Sequence, residues 1–445
     1  MTVRVLTWAE GQKASILNIG QWAQGVSASW TCHRDARVRN QVAKGAAAAH
    51  VGREAGLCEY KVIYYSMPTR VYLDWNATTP LRPEARAAML AAWDLLGNPS
   101  SVHAEGREAR RLVEDARAAL AAAVGGLPRN VVFTSAGTEA NALALSPGLR
   151  GPAGSPVERL LVSAVEHASV LSGGRFPADR IGHVRVMRAG VVDLDHLKAQ
   201  LMDGPPALVS IMAANNETGA LQPVAEAARI VHEAGGLLHV DAIQALGKIA
   251  FNINEIGADL ATFSAHKIGG PKGVGALVVV EGIAGLEPLL RGGGQELNRR
   301  AGTENVAGIA GFGAAVKAAL QALPEDAQRM ATLRDRLENG IKAIAGATIF
   351  SDDAARLANT TLFTAHGLKA ETAVIGFDLE GIAVSSGSAC SSGKVQPSHV
   401  LSAMGYDPAV AQGAVRLSLG WSTEAEDINR ALEAWRKLGN TLLKG

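Results

Sequence analysis

Three cysteines in 445 residues are too few for a disulfide framework, and Cys32, Cys58 and Cys390 form no Cys-x-x-Cys spacing that would hold zinc. No metal is expected. An excess of one charge is also missing: 43 Lys and Arg against 42 Asp and Glu leave a formal net charge of +1. That balance gives no electrostatic argument for direct contact with nucleic acid or with a membrane surface, and neither is expected. Long hydrophobic runs are scarce too. No apolar stretch is read as approaching the roughly 20 residues of a membrane span, because charge breaks the glycine- and alanine-rich stretches. Together these absences predict a cytoplasmic protein. The rest of the composition, 48% hydrophobic and 19% charged, suits an ordinary enzyme, and the length suits two or three structural units.

The first 66 residues carry no sustained periodicity and mix tryptophans with scattered arginines, whereas Met67 leads through Pro68-Thr69-Arg70 into the apolar Val71-Tyr72-Leu73. Residues 1–66 are therefore expected to be an upstream extension, poorly ordered or non-native, and a start at Met67 leaves 379 residues. The acids Glu10, Asp35, Glu54 and Glu59 argue against a transit peptide. Beyond that point, short apolar runs alternate with helical patterns. Strands are expected at Val131–Thr134, Arg159–Ser163, Val184–Met187, Leu208–Ala213, Leu237–Val240, Leu260–Phe263 and Gly275–Val280, with helices such as Glu105–Val124 and Val224–Ala234 stopped by glycine pairs. The pattern predicts an α/β fold with a large, mostly parallel sheet over 96–324. After Pro324 it changes to a long helix (Glu325–Ala345), strands at Asn359–Thr364 and Val415–Leu419, and a last helix behind a Thr423-x-x-Glu426 capping box. Residues 325–445 thus read as a smaller α+β domain.

The chemistry gathers where strands end. Lys267 closes the apolar run Leu260 to His266 and precedes Gly269-Gly270-Pro271-Lys272-Gly273. A partly desolvated amine near other cations favours its neutral form and can condense with an aldehyde. A surface lysine entering a loop would have the same local pattern, but Asp241 ends a second apolar strand 26 residues upstream. A carboxylate there can hold a pyridinium nitrogen protonated, and the two strand ends together specify pyridoxal 5'-phosphate better than either alone. A third strand, Val131–Thr134, runs into Ser135-Ala136-Gly137-Thr138-Glu139, a small-residue turn at a helix start, which is an anion site in outline.

His239-Val240-Asp241-Ala242-Ile243-Gln244, Ser264-Ala265-His266-Lys267 and Ser386-Gly387-Ser388-Ala389-Cys390 together resemble the cysteine desulfurases of the class V aminotransferase family, in the nitrogen-fixation and iron-sulfur-cluster branch. The resemblance runs from about Val71 to the C-terminus. It implies a PLP-dependent transferase fold, aspartate-aminotransferase-like and of fold type I, in which residues 67–95 join the small domain. It also implies that Lys267 carries the cofactor and that His167 stacks on the ring and helps move the proton. Asn216 and Gln244 would orient the cofactor and its phenolic oxygen. Gly137, Thr138, Ser264, His266 and, from the second subunit of a homodimer, Thr303 would hold its phosphate. Arg416, inside an apolar strand, would grip the substrate carboxylate beside Asn216. Cys390, alone among small polar residues, would be the sulfur nucleophile, since an attacking thiolate must be accessible. Departures are small: Gln295 replaces a histidine, and Leu297-Asn298 stands where glycine and basic residues are frequent.

The expected reaction is conversion of L-cysteine to L-alanine, with the sulfur held as a Cys390 persulfide. An acceptor protein would then take it, either an iron-sulfur scaffold or a carrier for tRNA thiolation. A selenocysteine lyase or aminotransferase of the same fold would share Lys267 and Asp241 but would not need a serine-rich segment around Cys390. A non-catalytic sulfur-relay subunit would be expected to lack Lys267 or Cys390.

Overall fold

A computed structural model describes residues 70–152, 154–344, 346–387 and 397–443, with four short strands before them. The chain divides into two compact units, Met1–Arg70 and Val71–Gly445. In the first, Val3–Thr7 pairs antiparallel with Ser15–Ile19, and Ala47–Ala48 with Ile63–Tyr64. Strands this short leave little periodic signal in a sequence. The remainder of the segment expected to be poorly ordered, with Cys32 and Cys58, lies outside the described residues.

The second unit is built on a seven-stranded sheet. Its order across the sheet is Val131–Thr134, Gly275–Val279, Leu260–Ser264, Leu237–Asp241, Ala207–Met212, Arg159–Ser163 and Ile181–Val184. Five of these strands are buried along their whole length, and Arg159–Ser163 is buried except at its first residue. Both faces are covered, which is why their sequences show no polar alternation. Only Gly275–Val279 runs antiparallel, to both of its neighbours. Thr134, Ser163, Met212, Asp241 and Ser264 therefore end their strands at one edge of the sheet, the edge where open α/β sheets bind ligands. The strand expected at Val184–Met187 instead occupies Ile181–Val184, because Gly182 and His183 hid its start while pairing with Leu160–Ser163 set its register.

The helix expected to begin at Glu325 begins at Val306 and runs unbroken to Lys342 through Pro324. Ile309, Phe312, Ala315, Val316 and Ala319 pack into the large core, and Met330, Leu333, Leu337 and Ile341 into the small one. Burial on two cores offsets the hydrogen bond that the proline cannot make. This helix also corrects the reading of apolar runs. Lys317 is the only charged residue from Val306 to Leu323, so among the described residues one helix is long and apolar enough to cross a membrane, with half of that stretch buried in the protein. The small domain's sheet orders Ala347–Ile349, Thr360–Ala365, Val415–Ser418 and Ser385–Ser386, all antiparallel. Val71–Tyr72 pairs with Ile382–Ala383, and Val71 and Leu73 enter the small core. The last helix, Ala425–Leu442, is capped one residue later than expected. Glu424 and Asp427 form the box, while the Thr423 hydroxyl accepts the Gly420 N–H at 2.9 Å.

Every site residue named above lies beyond Met67. Expression from Met67 is expected to yield a folded, yellow, active protein; loss of solubility or of bound cofactor in that truncation would contradict the expectation.

Candidate active site

Lys267 ends a short helical turn directly after the strand Leu260–Ser264. Its Nζ donates to the backbone oxygens of Asn76 (2.7 Å) and Ala77 (2.8 Å). Those oxygens belong to the turn after Val71–Tyr72, so the N-terminal part of the unit supplies the floor beneath the lysine. His266 meets Thr78 through Nδ1 at 3.1 Å; burial, then Lys267, Lys272 and Lys248, push its imidazole down to about 4. It is neutral at physiological pH and serves as a hydrogen-bonding group.

Asp241 closes the neighbouring strand, and both its carboxylate oxygens are engaged. Oδ1 accepts the Ile243 N–H at 3.0 Å and Oδ2 the Asn141 amide at 2.8 Å. Burial pushes this carboxyl up, against those two hydrogen bonds and the charges of His167 and Lys267. A cationic ring nitrogen beside it would favour the ionised form. Glu166, fully buried beside it, is held well above the carboxylate range by burial and then by Asp241, while its Oε1 accepts the Met212 N–H at 2.5 Å. A neutral Glu166 leaves Asp241 as the carboxylate of this floor.

Behind Asp241 a polar chain crosses the sheet, and its protons can be assigned. Thr262 Oγ1 donates to Asn141 Oδ1 (2.5 Å), so it accepts from His239 Nε2 (3.2 Å), and His239 Nδ1 accepts from Ser210 (2.8 Å). That single-proton tautomer agrees with burial pushing His239 down to about 3. Asn141 also donates to Ser169 Oγ at 2.9 Å, and Ser169 presents both its hydroxyl (2.8 Å) and its backbone N–H (3.1 Å) to His167 Nδ1. Nδ1 is thus an acceptor, and the His167 proton sits on Nε2. Burial lowers this imidazole's pKa, which keeps it uncharged.

The anion site lies beside this floor. The helix Gly137–Ala144 has no side-chain cap at its start, which leaves its first N–H groups for a ligand. A Cβ on Gly137 would lie 2.4 Å from Ile243 Cδ1 and 3.3 Å from Ser264 Cβ, so only glycine lets this helix approach the strand ends. Ser264 is buried and Thr138 exposed. Arg300 ties the loop of Thr303 to the same helix through Glu139 at 3.0 Å, and Thr303 itself is exposed. Upstream in that loop, Glu296, Leu297 and Asn298 are all left-handed, with φ of 50°, 56° and 63°. Asparagine tolerates that conformation better than most residues, which accounts for its standing where glycine is frequent. Arg117 holds the turn by a two-pronged ion pair to Glu296 (2.7 and 2.8 Å), whose Oε2 also accepts the Phe133 N–H.

On the other side of Lys267, Arg416 is 3% exposed. Its Nη1 donates to Asn216 O (2.9 Å) and Nη2 to Asp74 (2.8 Å), while Nε is buried with no hydrogen-bond partner among the described residues. Asn76 Nδ2 donates to the same Asn216 oxygen at 3.2 Å, linking the arginine to the floor of Lys267. Gln244 joins the same floor, with Nε2 on Asn76 O at 3.0 Å. Cys390 lies outside the described residues, but the ends of its segment do not. Ser398 donates to buried Glu217 Oε2 at 2.5 Å, and a Cβ on Gly387 would lie 3.2 Å from that oxygen. Burial pushes Glu217 up to about 7, against Ser398 and the Arg416 charge.

The aminotransferase class-V family profile matches residues 71–431. The chain belongs to that family. It is 41% identical over 378 residues to the cysteine desulfurase IscS of Dictyoglomus turgidum, covering 84% of this chain and 95% of the relative. Among solved structures, a NifS-like protein from Rickettsia africae superposes with a TM-score of 0.76 at 36% identity, over 84% of this chain and all of that one. SspA, solved in complex with cysteine, gives 0.65 at 28% identity over 79% and 99% of the two chains.

Class-V enzymes work with pyridoxal 5'-phosphate, and the residues here fit it. An uncapped helix start suits the phosphate's charge, Asp241 has both oxygens engaged at a strand end, burial lowers the pKa of His167, and the Lys267 amine rests on backbone oxygens. The class-V site draws on more than the sequence reading named. Asn76, Asn141 and Lys248 are buried and hydrogen-bond the expected residues directly, and His239 reaches Asp241 through Thr262 and Asn141. Buried Glu166 and Glu217 are close enough to Asp241 and Arg416, respectively, for charge to act between them. Their signal was polar side chains inside otherwise apolar strands and turns, which identifies a buried network but not its partners.

Proposed function

We propose that the protein is a cysteine desulfurase, releasing L-alanine from L-cysteine and holding the sulfur as a persulfide on Cys390. The observation that carries this reading is the link from Lys267 through Asn76 and Asn216 to Arg416, whose buried Nε has no partner among the described residues. An amine-bearing centre and a cation for a carboxylate, joined by one rigid polar path, suit an α-amino acid. The relatives' names narrow that amino acid to cysteine.

Bound pyridoxal phosphate supplies an electron sink for the bond broken at the substrate's α-carbon. Asp241 keeps the ring nitrogen's proton in place, and Lys267 Nζ takes and returns the substrate proton. His167, with its proton on Nε2, assists that transfer, and Arg416 and Asn216 hold the carboxylate end. The Cys390 thiolate then forms a bond to the substrate sulfur as the carbon–sulfur bond breaks. Protonation of the carbon completes alanine. The sulfur passes to an acceptor protein, either an iron-sulfur scaffold or a tRNA-thiolation carrier. The working unit is a cytoplasmic homodimer in which Thr303 completes the partner's phosphate site.

Incubating the pure protein with L-cysteine and a thiol reductant tests this. Sulfide and alanine should appear in equal amounts; amino-group transfer to a 2-oxo acid, or turnover of selenocysteine alone, would sink the desulfurase reading. Arg416→Lys should raise KM for cysteine about 10- to 100-fold, as expected when a charged hydrogen-bonding fork is reduced to a point charge. A KM unchanged in that variant would place the carboxylate elsewhere.

A further inference from the structure

The reaction above uses Lys267, yet a second lysine stands buried at the same site. Lys248 Nζ donates to Gln244 Oε1 and, at 2.9 Å, to Asn76 Oδ1. Both acceptors are carbonyl oxygens of residues that already serve the floor: Gln244 Nε2 and Lys267 Nζ share Asn76 O, at 3.0 and 2.7 Å. Asn359 Nδ2 reaches the same Asn76 Oδ1 at 3.1 Å and keeps that side chain from turning. Lys248, Gln244, Asn76 and Lys267 therefore form one hydrogen-bonded set.

The set has a direction. A lysine that donates to Gln244 Oε1 turns the amide oxygen toward itself, so one N–H of the NH2 goes to Asn76 O and the other remains for the cofactor's phenolic oxygen on the pyridoxal phosphate reading. The Gln244 Nε2 bond to Asn76 O favours the same orientation, and Lys248 supplies the second bond that fixes it. Asp326 and Arg82, 3.9 Å apart, line a cavity of about 30 Å³ together with Lys248 and Lys267. Arg416, His266, Asp241 and His167 are the other titratable groups around the pair. Burial, then Lys267 and Arg416, holds the Lys248 amine well below the lysine range. Its two acceptors match the two N–H bonds of a neutral amine.

We propose that Lys248 is a positioning residue: by fixing the amides of Gln244 and Asn76 it keeps a donor on the cofactor's phenolic oxygen and so lowers the basicity of the Lys267–cofactor linkage. This rests on the pyridoxal phosphate reading of the site. A donor on that oxygen makes the oxygen, and the imine nitrogen sharing its proton, less basic. Removing the donor raises the linkage's titration midpoint.

The test is a pH titration of the visible absorbance of the holoenzyme, which does not depend on turnover. Lys248→Met should move the midpoint upward by about one pH unit, and the same change in a Gln244→Leu background should add little, because the effect runs through Gln244. An unchanged midpoint in a folded Lys248→Met variant overturns the proposal, as does full additivity with Gln244→Leu. If Lys248→Met does not fold, Lys248→Leu carries the test: with no N–H for Gln244 or Asn76, it should also raise the midpoint, and no shift would overturn the proposal. Borohydride reduction separates the two levels. Cofactor fixed to Lys267 with no midpoint shift defeats this inference alone, whereas cofactor fixed elsewhere defeats the reading beneath it.

Discussion

Lys267→Ala should lose the yellow absorbance of lysine-bound cofactor and reduce desulfuration by several orders of magnitude, because it removes the covalent anchor and the proton carrier together. Cofactor can still enter, since the uncapped helix start at Gly137 and the carboxylate of Asp241 do not depend on the lysine. The variant should therefore bind pyridoxal phosphate with an aldehyde-like spectrum. The rival amine is Lys248, near enough that its charge and that of Lys267 affect each other. Geometry separates them. Lys248 is engaged by Gln244 and Asn76 side chains, whereas Lys267 ends the turn that follows its strand and rests on backbone oxygens that do not titrate. Borohydride reduction followed by peptide mapping decides, and a pyridoxyl group found on Lys248 would dismantle the site as described.

Strand ends were the legible part of this molecule. Leu237–Asp241 and Leu260–Ser264 are buried on both faces, so each is an apolar run, and the first polar residue after such a run marks the sheet edge. Asp241 could be placed on that ground, whereas Lys267 follows Ser264 and His266 and needed the glycine-rich turn after it and the pairing with Asp241 to stand out. Ile181–Val184 was displaced by three residues because Gly182 and His183 break the run that defined the others. The helix through Pro324 was truncated because a local proline rule cannot anticipate that cores on both sides hold the helix together. Site residues tied by tertiary contact were harder still. Asn76 meets Lys267, Lys248, Gln244, Thr360 and Asn359, partners 168 to 284 residues away in the chain. No periodicity encodes such a hub. Its neighbourhood, the polar Asp74-Trp75-Asn76-Ala77-Thr78 after an apolar pair, reads as any turn would. Arg416 was legible as an arginine needing a partner inside a buried strand, and Asp74 and Asn216 take two of its nitrogens, while Nε is buried without a partner among the described residues.

Cys390→Ala should separate the cofactor's chemistry from sulfur transfer. The hydrogen bonds described above for Lys267, Asp241, His167 and Arg416 run to residues that the substitution leaves in place. The variant should stay yellow and should still change its spectrum when cysteine is added, because Arg416 and Lys267 meet the substrate independently of the thiol. The carbon–sulfur bond, however, has lost its acceptor. Alanine and sulfide formation should then fall by several orders of magnitude, as expected when a covalent nucleophile is removed. Cys390→Ser makes the result sharper, since a hydroxyl restores size and hydrogen bonding but cannot hold a persulfide. It should be as inactive as the alanine variant. Selenocysteine is the informative second substrate: a lyase that needs no enzyme thiol would process it at a normal rate in both variants. Near-normal alanine production from cysteine by either variant would rule out the persulfide route and move the protein to that class.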